Sequence, residues 1–183
     1  MTMKSGLLLT AVLALGACEA KAPPAAAATA PAAAPLTNFE AYPVEVFTGP
    51  AVMPAYTGDQ RPFAEYRTRI GEAVKHGANF AGHYAVAEVG CGTGCRYGYL
   101  TDLKTGRILE APVGGARTGS VEMAYRPNSS LFVARWPSDD WKSCIWQTFE
   151  MKAGAFSKVR DANTSGECPE LNPDPEEKAE SPD

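Results

Sequence analysis

Residues 80–111, FAGHYAVAEVGCGTGCRYGYLTDLKTGRILEA, carry the clearest structural pattern in the chain. Successive side chains alternate between two sides, so that Tyr84 and Val86 fall on one side and Ala85 on the other, which is the period of a β-strand. Lys104-Thr105-Gly106 then separates two further apolar runs, which is typical of a hairpin turn. This stretch therefore predicts consecutive antiparallel strands.

The same strand-like pattern continues toward the C-terminus, and short turn sequences separate most of the apolar runs. Further strands are predicted at 120–125, 131–136, 144–151 and 155–159. Ahead of the strands, Phe63, Tyr66, Ile70 and Val74 recur at spacings of three and four, which places them on one face of a helix. We therefore expect an α+β fold, in which one amphipathic helix at about 61–76 packs on a single antiparallel β-meander sheet.

Length and charge narrow the range of function classes. The 183 residues suit one domain, and 17 basic against 21 acidic side chains give a net charge of −4. Nothing here is basic enough for a nucleic-acid binder. The excess of acids belongs mainly to residues 169–183, so the central region has no strong overall sign. An acidic stretch of that kind is expected to be solvated and disordered.

The N-terminal residues have the order of an export signal. Lys4 precedes an almost wholly apolar stretch from Gly6 to Ala17, and Leu-Gly-Ala leads directly into Cys18. This order resembles the lipobox of bacterial lipoproteins. The resemblance implies that residues 1–17 are a signal peptide and that Cys18 is acylated. In that family an Asp directly after the cysteine is associated with retention in the inner membrane. The residue here is Glu19, which implies an outer-membrane anchor facing the periplasm.

Composition then divides the rest of the chain. Residues 22–35 are nine Ala, four Pro and one Thr, which cannot form a core, so we expect a linker over 18–37. A folded domain is expected over 38–168, followed by the acidic tail. With Cys18 as the anchor, four cysteines remain, and an even number in an exported protein predicts disulfides. Of the three possible pairings, 91–95 and 144–168 are favoured.

The loop around 90–98 allows several interpretations. The simplest is a turn closed by a Cys91–Cys95 disulfide. The C-x3-C spacing also resembles the copper-binding pair of Sco-type periplasmic chaperones, whose site a histidine could complete. Thr93, Gly94, Cys95 and Arg96, with a distant His76, resemble the signature of L,D-transpeptidases, which use a cysteine nucleophile. The second histidine of that signature is missing here. Backbone N–H groups of the loop could also hold an anion.

A second candidate surface lies in the 137–143 loop, where Trp141 could contact a sugar or peptide. The mature region resembles small exported bacterial proteins with a Gly-Cys-Gly-x-x-Cys loop, which implies no particular activity. We expect a non-enzymatic envelope lipoprotein, without cofactor or metal, that binds an envelope protein or peptidoglycan. The alternative is a copper carrier or acyl-transfer enzyme using Cys95. The expected binding residues are Gly90, Gly92, Thr93, Gly94, Arg96 and Trp141.

Overall fold

Seven strands in two antiparallel sheets form the framework of the computed structural model, which describes residues 36–169 and 171. The first sheet has the order β1-β2-β3, with β1 at Tyr84–Gly92, β2 at Cys95–Asp102 and β3 at Ile108–Glu110. The second has the order β4-β5-β6-β7, and its strands are Glu122–Tyr125, Leu131–Pro137, Ser143–Lys152 and Ala155–Ser165.

The predicted meander is present within each sheet, but the prediction of a single sheet is wrong. Residues 111–121 connect β3 to β4 through a short 3-10 turn at Gly115–Arg117, and β3 does not pair with β4. The physical reason lies in the core between the sheets. Tyr84, Val86 and Leu100 of the first sheet pack in one cluster with side chains of the second, including Phe132. Burying those faces against each other requires two layers.

The helical segment is longer than predicted and has two parts. Gly58–Tyr66 is a 3-10 helix containing Pro62, and helix α1 follows at Arg67–His76. Proline lacks the N–H that an α-helix interior needs, which is consistent with α-helical geometry beginning only after it. The helix ends at His76, as the predicted range of 61–76 implies, and the next residue, Gly77, has a φ of 88°, which is accessible to glycine.

The predicted apolar face of the helix packs on the first sheet. Ile70 and Val74 are buried among Ala85 and Ala87 of β1, and the ring of Tyr66 stacks on Tyr99 of β2 at 4.8 Å. Along β1, one set of alternate residues therefore faces the helix and the other set faces the second sheet. Both faces of the first sheet are covered. The layers run helix, sheet, sheet.

The outer face of the second sheet carries a third cluster. Leu131, Val133 and Trp146 pack there with Phe39 from a 3-10 turn at Phe39–Ala41. The hydroxyl of Ser129 donates to the carbonyl oxygen of Phe39 at 2.8 Å, which ties this N-terminal segment to the start of β5.

Several predictions concern residues that the structure does not describe. The signal peptide at 1–17, Cys18, nearly all of the linker at 18–37 and most of the tail at 169–183 lie outside the described residues. Within the described part of the chain, no helix combines the length and apolar character needed to cross a membrane.

Candidate binding site

The two cysteine pairs have the favoured connectivity, and the prediction of disulfide bonds is confirmed. Cys91 is bonded to Cys95 across the β1–β2 hairpin, and Cys144 of β6 is bonded to Cys168. Gly94, between the first pair, has a φ of 66°, a conformation that glycine adopts without strain. The sulfur of Cys95 is therefore already bonded, whereas a nucleophile or a Cu(I) ligand must be a free thiolate.

The hairpin forms one wall of an open cleft of about 580 Å³, which we call the first cleft. Four of the expected binding residues line it, together with side chains from α1, β1, β4 and the connection that precedes β4. The lining residues are Gly90, Gly92, Gly94, Cys95 and Arg96 of the hairpin, and Arg69, Glu88, Ser120 and Glu122 from elsewhere. Thr93 is exposed at the tip of the hairpin and is not one of the lining residues.

Most charges in the first cleft are paired. Nη1 of Arg96 lies 2.8 Å from Oε2 of Glu88, and the hydroxyl of Tyr125 donates to Oε1 of the same carboxylate at 3.0 Å. Burial, and then the Glu88 carboxylate, raise the pKa of Tyr125 far above its ordinary value, so this phenol stays protonated. Glu88 thus has both oxygens engaged.

A second cleft of about 380 Å³ lies beside the 137–143 loop. Its lining is partly polar and includes one large exposed indole. The lining residues are Ser120, Glu122, Arg135, Pro137, Trp141, Ser143, Glu167 and Cys168. Trp141 is 69% exposed and has a φ of 58°, in the left-handed region. An exposed indole on a turn is available for contact with a ligand.

Hydrogen bonds within the loop hold the turn that carries Trp141. The hydroxyl of Ser138 donates to Oδ1 of Asp140 at 2.7 Å, and the backbone N–H of Lys142 donates to the same oxygen. These bonds hold the pKa of Asp140 below its usual value. The backbone N–H of Trp141 donates to the carbonyl of Ser138 at 2.9 Å. The position of Trp141 is therefore defined by its own loop.

Arg135 forms the floor of the second cleft. It faces Glu122 of β4 and Trp146 of β6 in the strand register, with its guanidinium carbon 5.9 Å from the centre of the indole ring. Its Nη2 lies 2.6 Å from Oε2 of Glu122, which also accepts the N–H of Leu171 at 3.4 Å. Nε of Arg135 is buried, and no acceptor among the described residues reaches it.

The two clefts share Ser120 and Glu122 and form one surface, which we call the joined cleft. Ser120 has a φ of 58°, and its N–H donates to the carbonyl oxygen of Gly94, which attaches the strand connection to the hairpin. Each disulfide contributes a lining residue, Cys95 in the first cleft and Cys168 in the second. The two loops expected to bind a partner are thus on one surface.

Sequence reasoning did not identify Arg69, Ser120, Glu122, Arg135 and Glu167 as site residues. The sequence does give an indication for one of them. Arg135 interrupts an otherwise apolar strand, and a buried arginine normally has a specific partner. The others are separated from the expected loops by tens of residues, so no local pattern relates them.

Neither histidine lines the joined cleft. Nδ1 of His76 lies 2.7 Å from the carbonyl oxygen of Glu72, and Nε2 of His83 lies 4.0 Å from Oδ1 of Asp102 beside a separate cleft. Among residues 36–169 and 171, no group of three or more His, Cys, Asp and Glu side chains is placed to hold a metal ion.

Comparison with known proteins adds no assignment, because no protein-family model, curated protein or solved structure matches the chain.

Proposed function

We propose that the chain is a lipid-anchored periplasmic lipoprotein whose folded domain is a binding module, with the joined cleft as its binding surface. The anchor would be the acylated Cys18 of the lipobox. The linker of alanine and proline would hold the domain away from the membrane. The partner would be a component of the cell envelope.

One observation carries this proposal: two loops and two disulfides meet at the joined cleft. The first and second clefts share Ser120 and Glu122. Cys95 lines the first cleft and Cys168 lines the second. A disulfide beside each loop restricts its conformations before binding, which lowers the entropy that a partner must overcome. Disulfides also accord with a protein that works in an oxidising compartment.

A binding role fits this surface better than catalysis by Cys95. The Cys95 sulfur is bonded to Cys91, and neither histidine lines the cleft that contains it. The other titratable side chains of the first cleft are carboxylates and arginines, of which Arg96 and Glu88 pair with each other. The copper-carrier and acyl-transfer alternatives both require reduction of this disulfide first.

Site-specific photo-crosslinking in living cells tests the proposal. A benzophenone amino acid replaces Thr93 at the hairpin tip or Asp139 in the 137–143 loop. Matched controls carry it at Lys104 and Lys158, exposed positions in the β2–β3 turn and on β7. We expect the same adduct from the first two sites and none from the controls. Equal labelling from all four sites, or none from any, would overturn the binding surface.

The anchor has its own test. A Cys18→Ser chain loses the acylated residue, so we expect it to leave the outer-membrane fraction and become soluble in the periplasm. Retention of the Cys18→Ser chain in the outer membrane would contradict lipid anchoring at this position.

A further inference from the structure

The charges of the joined cleft do not cancel evenly along its length. The Arg96–Glu88 pair and the Arg135–Glu122 pair each neutralise themselves. What remains is Arg69 in the first cleft and Glu167 in the second. One end of the surface therefore keeps a positive charge and the other a negative one.

Both residual charges are available to a ligand. Arg69 makes one ion pair among the described residues, a long one of 3.9 Å to Glu72, and both side chains are more than half exposed. Such a contact contributes little and is easily exchanged. Glu167 is exposed and has no ion pair within the described part of the chain.

The negative end also contains the exposed indole of Trp141. The face of an indole attracts a cation, and a nearby carboxylate adds to that attraction. The positive end offers a guanidinium, which suits a carboxylate. A ligand with an ammonium group at one end and a carboxylate at the other would match both ends.

From this arrangement we propose that the joined cleft binds a short peptide with a free amine and a free carboxylate. The carboxylate would lie at Arg69, and the ammonium would lie between Trp141 and Glu167. This inference rests on the proposed function, because it names the ligand of the same surface. Complementary charge at both ends selects the orientation of the ligand as well as its class.

The middle of the surface supplies polar contacts for a peptide backbone. Ser120 and Glu122 line both clefts, and because Arg135 and the N–H of Leu171 both bind Oε2 of Glu122, Oε1 remains as a further acceptor. The two volumes fall in the range of small-molecule sites.

Calorimetry on the full chain in detergent tests the ligand class with trialanine as the probe. We expect binding of the form with free termini, and about tenfold or greater weakening when the amine is acetylated or the carboxylate is amidated. Equal affinity for all three forms, or binding by none of them in both this assay and the sacculus assay below, would overturn the inference.

Matched variants then assign the two ends. In Arg69→Gln, the free acid and the amide should bind equally, whereas the acetylated form stays disfavoured. In Glu167→Gln and Trp141→Ala, the preference for the free amine should shrink instead. Arg61→Gln and Glu65→Gln, at exposed positions of the same helical segment as Arg69, are controls and should leave both preferences unchanged. A loss of both preferences in every variant would contradict the assigned orientation.

The same chemistry occurs in soluble peptides and in the stem peptides of the cell wall. Sedimentation with purified peptidoglycan sacculi separates these sources. Binding to sacculi that Arg69→Gln abolishes supports the wall, and binding of free trialanine alone supports soluble peptides. If neither binds, while crosslinks still form at Thr93 and Asp139, the peptide inference fails and the binding module stands. N-acetylglucosamine binding without peptide binding would also overturn the inference.

Discussion

Arg135 and Glu122 face each other on β5 and β4 with Nη2 and Oε2 2.6 Å apart, yet the arginine side chain is 2% exposed and the glutamate 46%. The pair is therefore asymmetric: a buried cation is neutralised by a carboxylate at the edge of the joined cleft. Removing the carboxylate would leave the guanidinium buried without its partner, and such unpaired charges are strongly unfavourable.

This asymmetry determines the expected stability of two variants. Glu122→Gln should lower the free energy of unfolding by about 2–3 kcal/mol, less than for a fully buried pair because Glu122 is half exposed. Glu122→Gln with Arg135→Met should recover part of the loss, because the cation is gone and the volume is kept. Urea unfolding of both variants and of the unsubstituted chain measures these differences. A double variant less stable than Glu122→Gln would contradict this account.

The two disulfides should differ in reactivity. Cys91 is exposed, whereas Cys144 is completely buried. We expect a mild reductant to open Cys91–Cys95 first, since access of the attacking thiolate limits exchange. Alkylation followed by peptide mass spectrometry, on protein isolated from the periplasm without reductant, reads out both pairs. Free Cys95 in that untreated sample would instead favour the copper or acyl-transfer alternatives.

Their contributions to stability should also differ. The loop-entropy relation gives about 2 kcal/mol for the short Cys91–Cys95 loop and about 3.5 kcal/mol for the loop from Cys144 to Cys168. Paired alanine substitutions at each disulfide, compared by urea unfolding, check this order. A larger loss from the hairpin pair would show that its constraint acts on more than the local loop.

His83 should make stability depend on pH. Burial, and then Lys104, lower the pKa of His83 in the folded chain, and Asp102 opposes them. Because the folded value lies below the unfolded value of about 6.5, the unfolded chain takes up the proton more readily. The stabilisation that neutral His83 contributes to the folded chain is complete above the unfolded pKa of about 6.5 and is lost as the pH falls below it. The decline in unfolding free energy with falling pH should be shallower in His83→Gln. NMR titration of the His83 imidazole checks the direction of its shift.

Gly82 should not tolerate a side chain. Its φ is 79°, and a Cβ there would overlap the carbonyl oxygen of Glu45. Its N–H and carbonyl also bond to Pro127 and Phe47 at 2.8 and 2.7 Å. Gly82→Ala should cost more than about 2 kcal/mol. The control, Gly58→Ala, has a similar φ of 57° but open space around the Cβ, so it should cost about 1 kcal/mol. Equal thermal stability of the two variants would contradict the steric argument.

Local features of the fold were accessible to sequence reasoning. The alternation through Tyr84, Ala85 and Val86 is a property of a single strand, and turn residues mark where strands end. The face of α1 with Ile70 and Val74 follows from helical spacing. These patterns depend on neighbours a few residues apart, which is why they can be recognised in an isolated sequence.

The number of sheets could not be recognised in the same way. Each strand was expected to join its successor, and this holds within both sheets but not between β3 and β4. Whether a connection such as 111–121 continues a sheet or starts a second layer depends on which faces bury each other. That outcome is set by the shared core, where Val86 and Leu100 belong to one cluster with Phe132, a residue distant from them in sequence.

At the binding surface, too, local features can be predicted from the sequence and long-range ones cannot. Short-range spacing in the sequence is enough to predict the strands, the helix face and the loops around Arg96 and Trp141, and it favours a hairpin closed by Cys91 and Cys95. It does not show that Ser120 and Glu122 join those loops into one cleft with Arg135 beneath it, which follows from the packing of the two sheets. Side chains from separate strands meet only after both sheets have packed, and their meeting reflects the free energy of the whole core rather than the preference of any segment.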